Sequence, residues 1–346
     1  MRVESATGAG FRWWHCTQRL PSIDQTHSGQ LGAVDPLSAV AVENLGKRYG
    51  SVEAVRGISF QIAAGEVFGL LGPNGAGKTT TLSMLSTLLH PTHGDVRIFG
   101  KSLAHEMSSV RRLVGLVPQH VSLYPTLTAR ENLTFFGRIN GVARRLLVDR
   151  VEQMLELVGL CGRADEQVHT YSGGMMRRLN LACGLIHAPR LLLLDEPTVG
   201  VDPQSRQNIL SAVRELAQQG MAVLYTTHYM DEAEHFCDRI AIMDEGRIAA
   251  VGSLADLLKI AGMSEMIELD WQPSDADRER VLAVRDVSQV ETSDGVTRIF
   301  VTNARRALVS IAAIIADQPG AVAGLEIHSV NLERVFMGLT GKALRD

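Results

Sequence analysis

The stretch GPNGAGKTT, residues 72–80, sets Gly72, Asn74, Gly75, Gly77, Lys78, Thr79 and Thr80 side by side. It matches the pattern GxxxxGK[ST], whose chemistry is the holding of phosphate. Bare backbone N–H groups from Gly75 to Thr80 can point at phosphate oxygens because glycine leaves no side chain in the way. A helix starting here adds its positive end to the same site. Lys78 then reaches the terminal phosphates and Thr79 offers a hydroxyl to Mg²⁺. A matching acid appears at LLLLDEPT, residues 191–198, where four leucines end in Asp195, a carboxylate suited to Mg²⁺ through water. Glu196, one residue on, is placed to act on an attacking water as a general base or orienting group. Gln119 closes the run VGLVPQ, and its amide can serve both a metal shell and a water. His228 closes MAVLYTTH. The candidate catalytic set is therefore Glu196, His228 and Gln119, and the candidate metal set is Thr79, Gln119 and Asp195.

These residues need a frame that brings them to one edge. EVFGLLG is apolar almost throughout, as a strand buried on both faces must be, and it runs directly into the glycine-rich loop and a helical LSMLSTLL. VGLVPQ, LLLLDEP and MAVLYTTH read as further buried strands, each ending in a polar candidate. Strands alternating with helices predict a mostly parallel sheet whose ligands sit at the carboxyl ends of its strands. Between about 120 and 185 the period turns helical. TARENLTFFG opens that insert with a capping box, Thr128 with Glu131 three residues on. RIAIMDEGRIAAVG reads as a hairpin turning at Asp244-Glu245-Gly246. After about 262 the order is strand, helix, two strands joined across Asp294-Gly295, helix, strand, which predicts a small ferredoxin-like α+β domain.

The totals narrow the classes. With 346 residues, 45% hydrophobic and 21% charged, the chain is globular in composition and long enough for two or three domains. A formal charge of −4 carries no sign of a polyanion-binding surface, so nucleic acid is not expected as a partner. The four cysteines lie far apart without a CxxC pair, which argues against a zinc knuckle or disulfide framework. No apolar run approaches the roughly 18 residues of a bilayer span. Residues 1–38 read as a loose tail.

One helix start stands apart. YSGGMMRRLN, residues 171–180, opens with two glycines, each worth roughly 1 kcal/mol less than alanine in a helix. Ser172 before them is an ordinary N-cap choice, and the glycines are either a plain junction or a backbone left bare for a ligand.

In order and spacing, GPNGAGKT, Gln119, YSGG, LLLLDEP, VGVD and His228 resemble the nucleotide-binding subunits of ATP-binding cassette (ABC) transporters over about residues 40–260. The tail LERVFMGLTGKALRD resembles that of daunorubicin-resistance-type drug-exporter ATPases. The resemblance implies an α/β P-loop NTPase core of ABC type over 39–260, with a helical signature subdomain, and the small α+β domain over 262–346. It implies ATP with Mg²⁺, hydrolysed to power an exporter of a drug or other hydrophobic compound. It also implies a separate transmembrane permease as partner, at the cytoplasmic face of the membrane. Two copies of the chain would pack head to tail, so that Ser172, Gly173 and Gly174 form a second anion site on the other copy's γ-phosphate. By the same resemblance Tyr49 stacks on adenine, Asp202 organises the subunit boundary and His228 contacts the γ-phosphate. Two departures stand out: Tyr171 and Met175 replace the commoner leucine and glutamine of the signature, and Val201 replaces a leucine before Asp202. A cassette ATPase acting on ribosomes or DNA, and a regulatory module that never hydrolyses, remain as alternatives.

Overall fold

The computed structural model describes residues 38–261, 265–293, 295–316, 324–328 and 331–340. The tail expected over 1–38 lies outside them apart from Ser38, and so does Asp294 of the expected hairpin turn. β1 (Ser38–Tyr49) and β2 (Val52–Ala63) pair antiparallel. β3 (Val67–Leu71), buried at every position, feeds the glycine-rich loop and α1 (Lys78–Leu85). The helix expected to run on to Leu89 stops at Leu85. Thr87 turns left-handed at φ 67°, and the N–H groups of Leu88 and Leu89 bond back to the Ser83 carbonyl at 3.0 Å, closing the helix end. β4 (His93–Ile98) and β5 (Lys101–Ser102) complete an antiparallel sheet in the order β2-β1-β4-β5.

α2 (Met107–Leu113) leads into β6 (Val114–Val117), which ends two residues before Gln119. The helical insert follows as α3 (Ala129–Ile139), α4 (Arg144–Leu157) and α5 (Gly173–Leu185). α3 opens with the expected capping box, Thr128 accepting from the Glu131 N–H and the Glu131 side chain from Thr128. Next come β7 (Leu191–Asp195), α6 (Pro203–Gln218), β8 (Ala222–Thr227), α7 (Met230–Phe236), β9 (Arg239–Asp244), β10 (Arg247–Gly252) and α8 (Leu254–Ile260).

The central sheet has the order β10-β9-β3-β8-β7-β6, parallel from β6 through β9, with β10 added antiparallel by the hairpin. Its strands divide their side chains between two cores. Leu191 and Leu193 of β7 face α1 and the antiparallel sheet, whereas Leu192 and Leu194 face α5 and α6. That two-sided burial is why four leucines in succession are tolerated. The carboxyl ends of β3, β6, β7 and β8 open on one edge, which carries the loop at 72–77 and the residues that follow each strand.

The C-terminal part is β11 (Glu265–Leu269), α9 (Asp275–Leu282), β12 (Val287–Ser293), β13 (Val296–Val301), α10 (Ala304–Ile315) and β14 (Leu325–His328). Its antiparallel sheet has the order β12-β13-β11-β14, the ferredoxin-like arrangement, and α10 packs Ala307, Ile311 and Ile314 over Ile267, Ile299 and Trp271. The last helix, α11 (Leu332–Thr340), leaves that core. Leu332, Val335 and Phe336 pack with Leu71, Ala233, Ile240 and Ile242 of the nucleotide-site unit.

Candidate active site

Glu196 is the meeting point of the edge. It follows β7 with a left-handed backbone, φ 45°, a conformation that costs a non-glycine residue about 1–3 kcal/mol. Consecutive side chains of a strand face opposite ways, and this turn breaks the alternation after Asp195. The Glu196 carboxylate, buried to 5% exposure, gathers three side chains from three other elements. Lys78 Nζ lies 3.2 Å from Oε1, Gln119 Nε2 donates to Oε2 at 3.0 Å, and His228 Nδ1 lies 3.1 Å from Oε2. The three candidate catalytic residues, Glu196, Gln119 and His228, thus come together in space, with Lys78 beside them.

Lys78 is almost fully buried, and its ammonium also donates to the carbonyls of Gly72 at 2.7 Å and Pro73 at 3.1 Å. The loop itself explains its glycines. A side chain on Gly72 would collide with the Met243 carbonyl at 2.2 Å, and one on Gly77, at φ 106°, with the Ala54 carbonyl at 2.6 Å. Gly75, at φ 83°, faces open space, as do the exposed Asn74 and Thr79 around it. Thr80 is half-buried in the first turn of α1.

Thr79 Oγ1 and Asp195 Oδ1 are 3.3 Å apart in a hydrogen bond, a hydroxyl and a carboxylate converging beside the phosphate loop. Such a hard-oxygen pair suits Mg²⁺, which keeps several waters and takes its other ligands from phosphate. Among the described residues no group of three His, Cys, Asp or Glu is placed to hold a metal ion.

Ser172 caps α5, its hydroxyl accepting from the Met175 N–H at 3.3 Å. The two glycines behind it have different reasons. A Cβ on Gly174 would strike Ser205 Oγ at 2.1 Å and Asp202 Oδ2 at 2.8 Å, so close packing of α5 on α6 demands glycine there. A Cβ on Gly173 would meet nothing within 4 Å. Nothing in its own chain requires that glycine, and its face of the helix start is open. Asp202 caps α6 through the Ser205 N–H at 2.9 Å, a bond that holds its carboxyl below the ordinary carboxylate range. Tyr49 stands at the end of β1, 49% exposed, with the Lys47 ammonium 5.3 Å from its ring centroid. Neither Tyr49, Asp202 nor the 172–174 start touches the Glu196 cluster within the chain.

Both departures in the signature are structural. Tyr171 is buried and its hydroxyl donates to the Arg163 carbonyl at 2.5 Å, while Met175 packs against the insert core. Val201 is buried in that core as well. Sequence reading missed Thr226. Its hydroxyl donates to Asp195 Oδ1 at 2.8 Å and accepts from the Glu196 N–H at 3.0 Å, so one buried side chain orients both carboxylates. The signal was a hydroxyl pair, Thr226-Thr227, closing an otherwise largely apolar strand.

A phosphate loop, an acid pair and a helical insert on one parallel sheet define a P-loop nucleotide hydrolase. The family model for ABC transporters matches residues 55–199. Over 310 residues the chain is 42% identical to the linearmycin resistance ATP-binding protein LnrL of Bacillus subtilis, covering 88% of this chain and 99% of that one. It is 36% identical over 314 residues to the daunorubicin/doxorubicin resistance ATP-binding protein DrrA of Streptomyces peucetius, covering 90% and 95%. A solved dimer of the ATP-binding cassette MJ0796, bound to ADP and Pi, superposes with a TM-score of 0.57 at 27% identity, over 62% of this chain and 98% of the other. The chain belongs to the ABC transporter family as an ATP-binding subunit. It binds and hydrolyses ATP as a subunit of an exporter, which sets aside the ribosomal, DNA-directed and non-hydrolysing alternatives. Among the described residues no helix is long and apolar enough to cross a membrane.

Proposed function

We propose that two copies of the chain clamp ATP head to tail and that its hydrolysis powers a separate transmembrane permease exporting a drug or other hydrophobic compound. The observation that carries this reading is the convergence of Lys78, Gln119 and His228 on Glu196. In this scheme Lys78 exchanges its Glu196 and carbonyl contacts for the β- and γ-phosphates, and the loop from Gly72 to Thr80 wraps them with backbone N–H groups. Glu196, released from Lys78, accepts a hydrogen bond from the attacking water; Gln119 orients that water, and His228 contacts the γ-phosphate. Thr79, Asp195 and Gln119 would hold Mg²⁺, which supplies charge neutralisation for the phosphates when bound. Tyr49 stacks on adenine, and Asp202 lies at the boundary between copies. The open face of Gly173, with the capped helix start at Ser172 and Gly174, supports a second phosphate contact made to the other copy's nucleotide.

The permease would meet the protein beside the segment that follows Gln119, at the cytoplasmic face of the membrane. A groove of about 320 Å³ lies there, lined by Pro118, Phe136 and Asn180, with Leu88 and Ile139 exposed at 71% and 61%. The drug-resistance names of two relatives support a hydrophobic cargo. Replacement of Glu196 by glutamine tests the reading. Glu196→Gln is expected to bind ATP, to lose at least about a hundredfold in turnover, the usual worth of a positioned general base, and to accumulate as an ATP-dependent dimer on size exclusion. Undiminished phosphate release would remove Glu196 from its role.

A further inference from the structure

The segment 118–128, between β6 and α3, is tied to the helical insert rather than to the sheet. Asn180 of α5, 3% exposed, donates through Nδ2 to the Pro118 carbonyl and accepts through Oδ1 from the Ser122 N–H, each at 3.3 Å. Arg177, one turn earlier on the same helix face, donates to the Gln119 carbonyl and, at 3.3 Å, to the Val199 carbonyl. Asn132 of α3, fully buried, accepts from the Tyr124 N–H at 2.8 Å and donates to the carbonyls of Tyr124 and Thr128 at 3.1 and 2.9 Å. Among the hydrogen bonds of the described residues, one joins this segment to the central-sheet edge: Gln119 Nε2 to Glu196 Oε2, 3.0 Å. The backbone of Gln119 thus belongs to α5, and its amide belongs to Glu196.

We infer that Arg177 and Asn180 are positioning residues that carry movement of the α5 N-terminus to Gln119, and so link one nucleotide site to the other. The inference rests on the two-copy reading above, in which Ser172 and Gly173 engage a nucleotide held by the second chain. α5 is a single helix of 13 residues, so a displacement at Ser172 arrives undiminished at Arg177 less than two turns on. Arg177 hands it to the carbonyl of Gln119 and also to that of Val199, three residues after Glu196. A hydrogen bond weakens steeply with distance and angle, so a sub-ångström shift of Gln119 makes or breaks its contact with Glu196. The chain with its signature start engaged then has its own Gln119 and Glu196 set. Because the two copies are equivalent in the head-to-tail pair, occupancy of either site raises the competence of the other.

The experiment measures steady-state ATP hydrolysis by the full chain against ATP concentration. Arg177→Met removes the donors while keeping the length of the side chain. It is expected to lower kcat by at least about tenfold with KM for ATP within about twofold, and to move the Hill coefficient from about 2 toward about 1. Arg177→Lys, which keeps a donor for the Gln119 carbonyl, is expected to recover cooperativity. If Arg177→Met does not fold, judged by its thermal midpoint, Asn180→Asp replaces it; that change keeps the Ser122 contact, loses the donation to Pro118, and is expected to give the same split. Unchanged kcat and Hill coefficient in the variant, a raised KM at constant kcat, or a wild-type Hill coefficient of about 1 each overturn the inference. ATP-dependent dimerisation is read separately in Glu196→Gln with and without Arg177→Met. Loss of the dimer in Glu196→Gln alone brings down the two-copy reading. A dimer that forms there, beside an Arg177→Met enzyme that keeps full cooperative turnover, leaves that reading standing and removes this one.

Discussion

Thr226 shows how much of the site depends on one hydroxyl that touches neither phosphate nor water in the proposed scheme. It holds Asp195 by donating and Glu196 by accepting, inside a wall with no solvent exposure. Thr226→Val keeps the shape and removes both bonds, leaving the Glu196 N–H without a partner in a buried place. The expected cost is about 1–3 kcal/mol of stability in urea unfolding, together with a fall in kcat as the two carboxylates lose their orientation. His187 carries a different residue-scale consequence. Its Nε2 lies 2.9 Å from the Val114 carbonyl, its Nδ1 is buried without a partner, and burial lowers its pKa, with the carbonyl contact opposing in part. The unfolded chain therefore takes up this proton first as pH drops, and stability is lost as pH falls below about 6.5 toward the lower folded value. His187→Gln keeps a donor for Val114 and cannot be protonated. Its thermal midpoint is expected to decline less than that of the wild type between about pH 7 and pH 5.5, and equal slopes would exclude His187 as the cause.

At the scale of the element, the start of α5 separates two uses of glycine that look identical in the sequence. Gly174→Ala forces a methyl group onto Ser205 and is expected to cost about 1–3 kcal/mol in urea unfolding. Gly173→Ala meets open space and is expected to leave stability unchanged or raise it by up to about 1 kcal/mol, while ATPase activity falls because the bare face is lost. Full activity in Gly173→Ala would deny that face a ligand. The phosphate loop, the acid pair and the polar residues just past two strand ends, Gln119 and His228, were legible because each is a local pattern: a glycine spacing, an apolar run, a polar stop. The early end of α1 was not, since its left-handed Thr87 carries no glycine to mark it. Arg177 and Asn180 were equally hidden. On paper they are polar residues of a helix face, and only the return of the chain to Pro118 and Ser122 gives them partners.

For the whole molecule the same limit appears in α11. LERVFMGLTG shows its amphipathic period, yet nothing near it in the chain says which surface its apolar face covers. That surface is built from β3, α7, β9, β10 and α8, and the backbone N–H of Leu332 donates to Glu234 of α7 at 3.1 Å. The chain thus leaves the nucleotide-site unit at α8, folds a second antiparallel sheet with its own core, and comes back to seal the first unit beside Leu71, the residue that precedes the phosphate loop. If the last helix is part of that core, a change in it destabilises the nucleotide-site unit as an internal cavity does, even though the position is remote in sequence. Phe336, 1% exposed, is the largest side chain at this contact. Phe336→Ala is expected to cost about 3–5 kcal/mol, read as a shift in the urea midpoint of the unfolding that exposes the nucleotide-site core. A helix that merely rests on the surface would give a change within about 0.5 kcal/mol, so the two arrangements differ by far more than the error of the measurement.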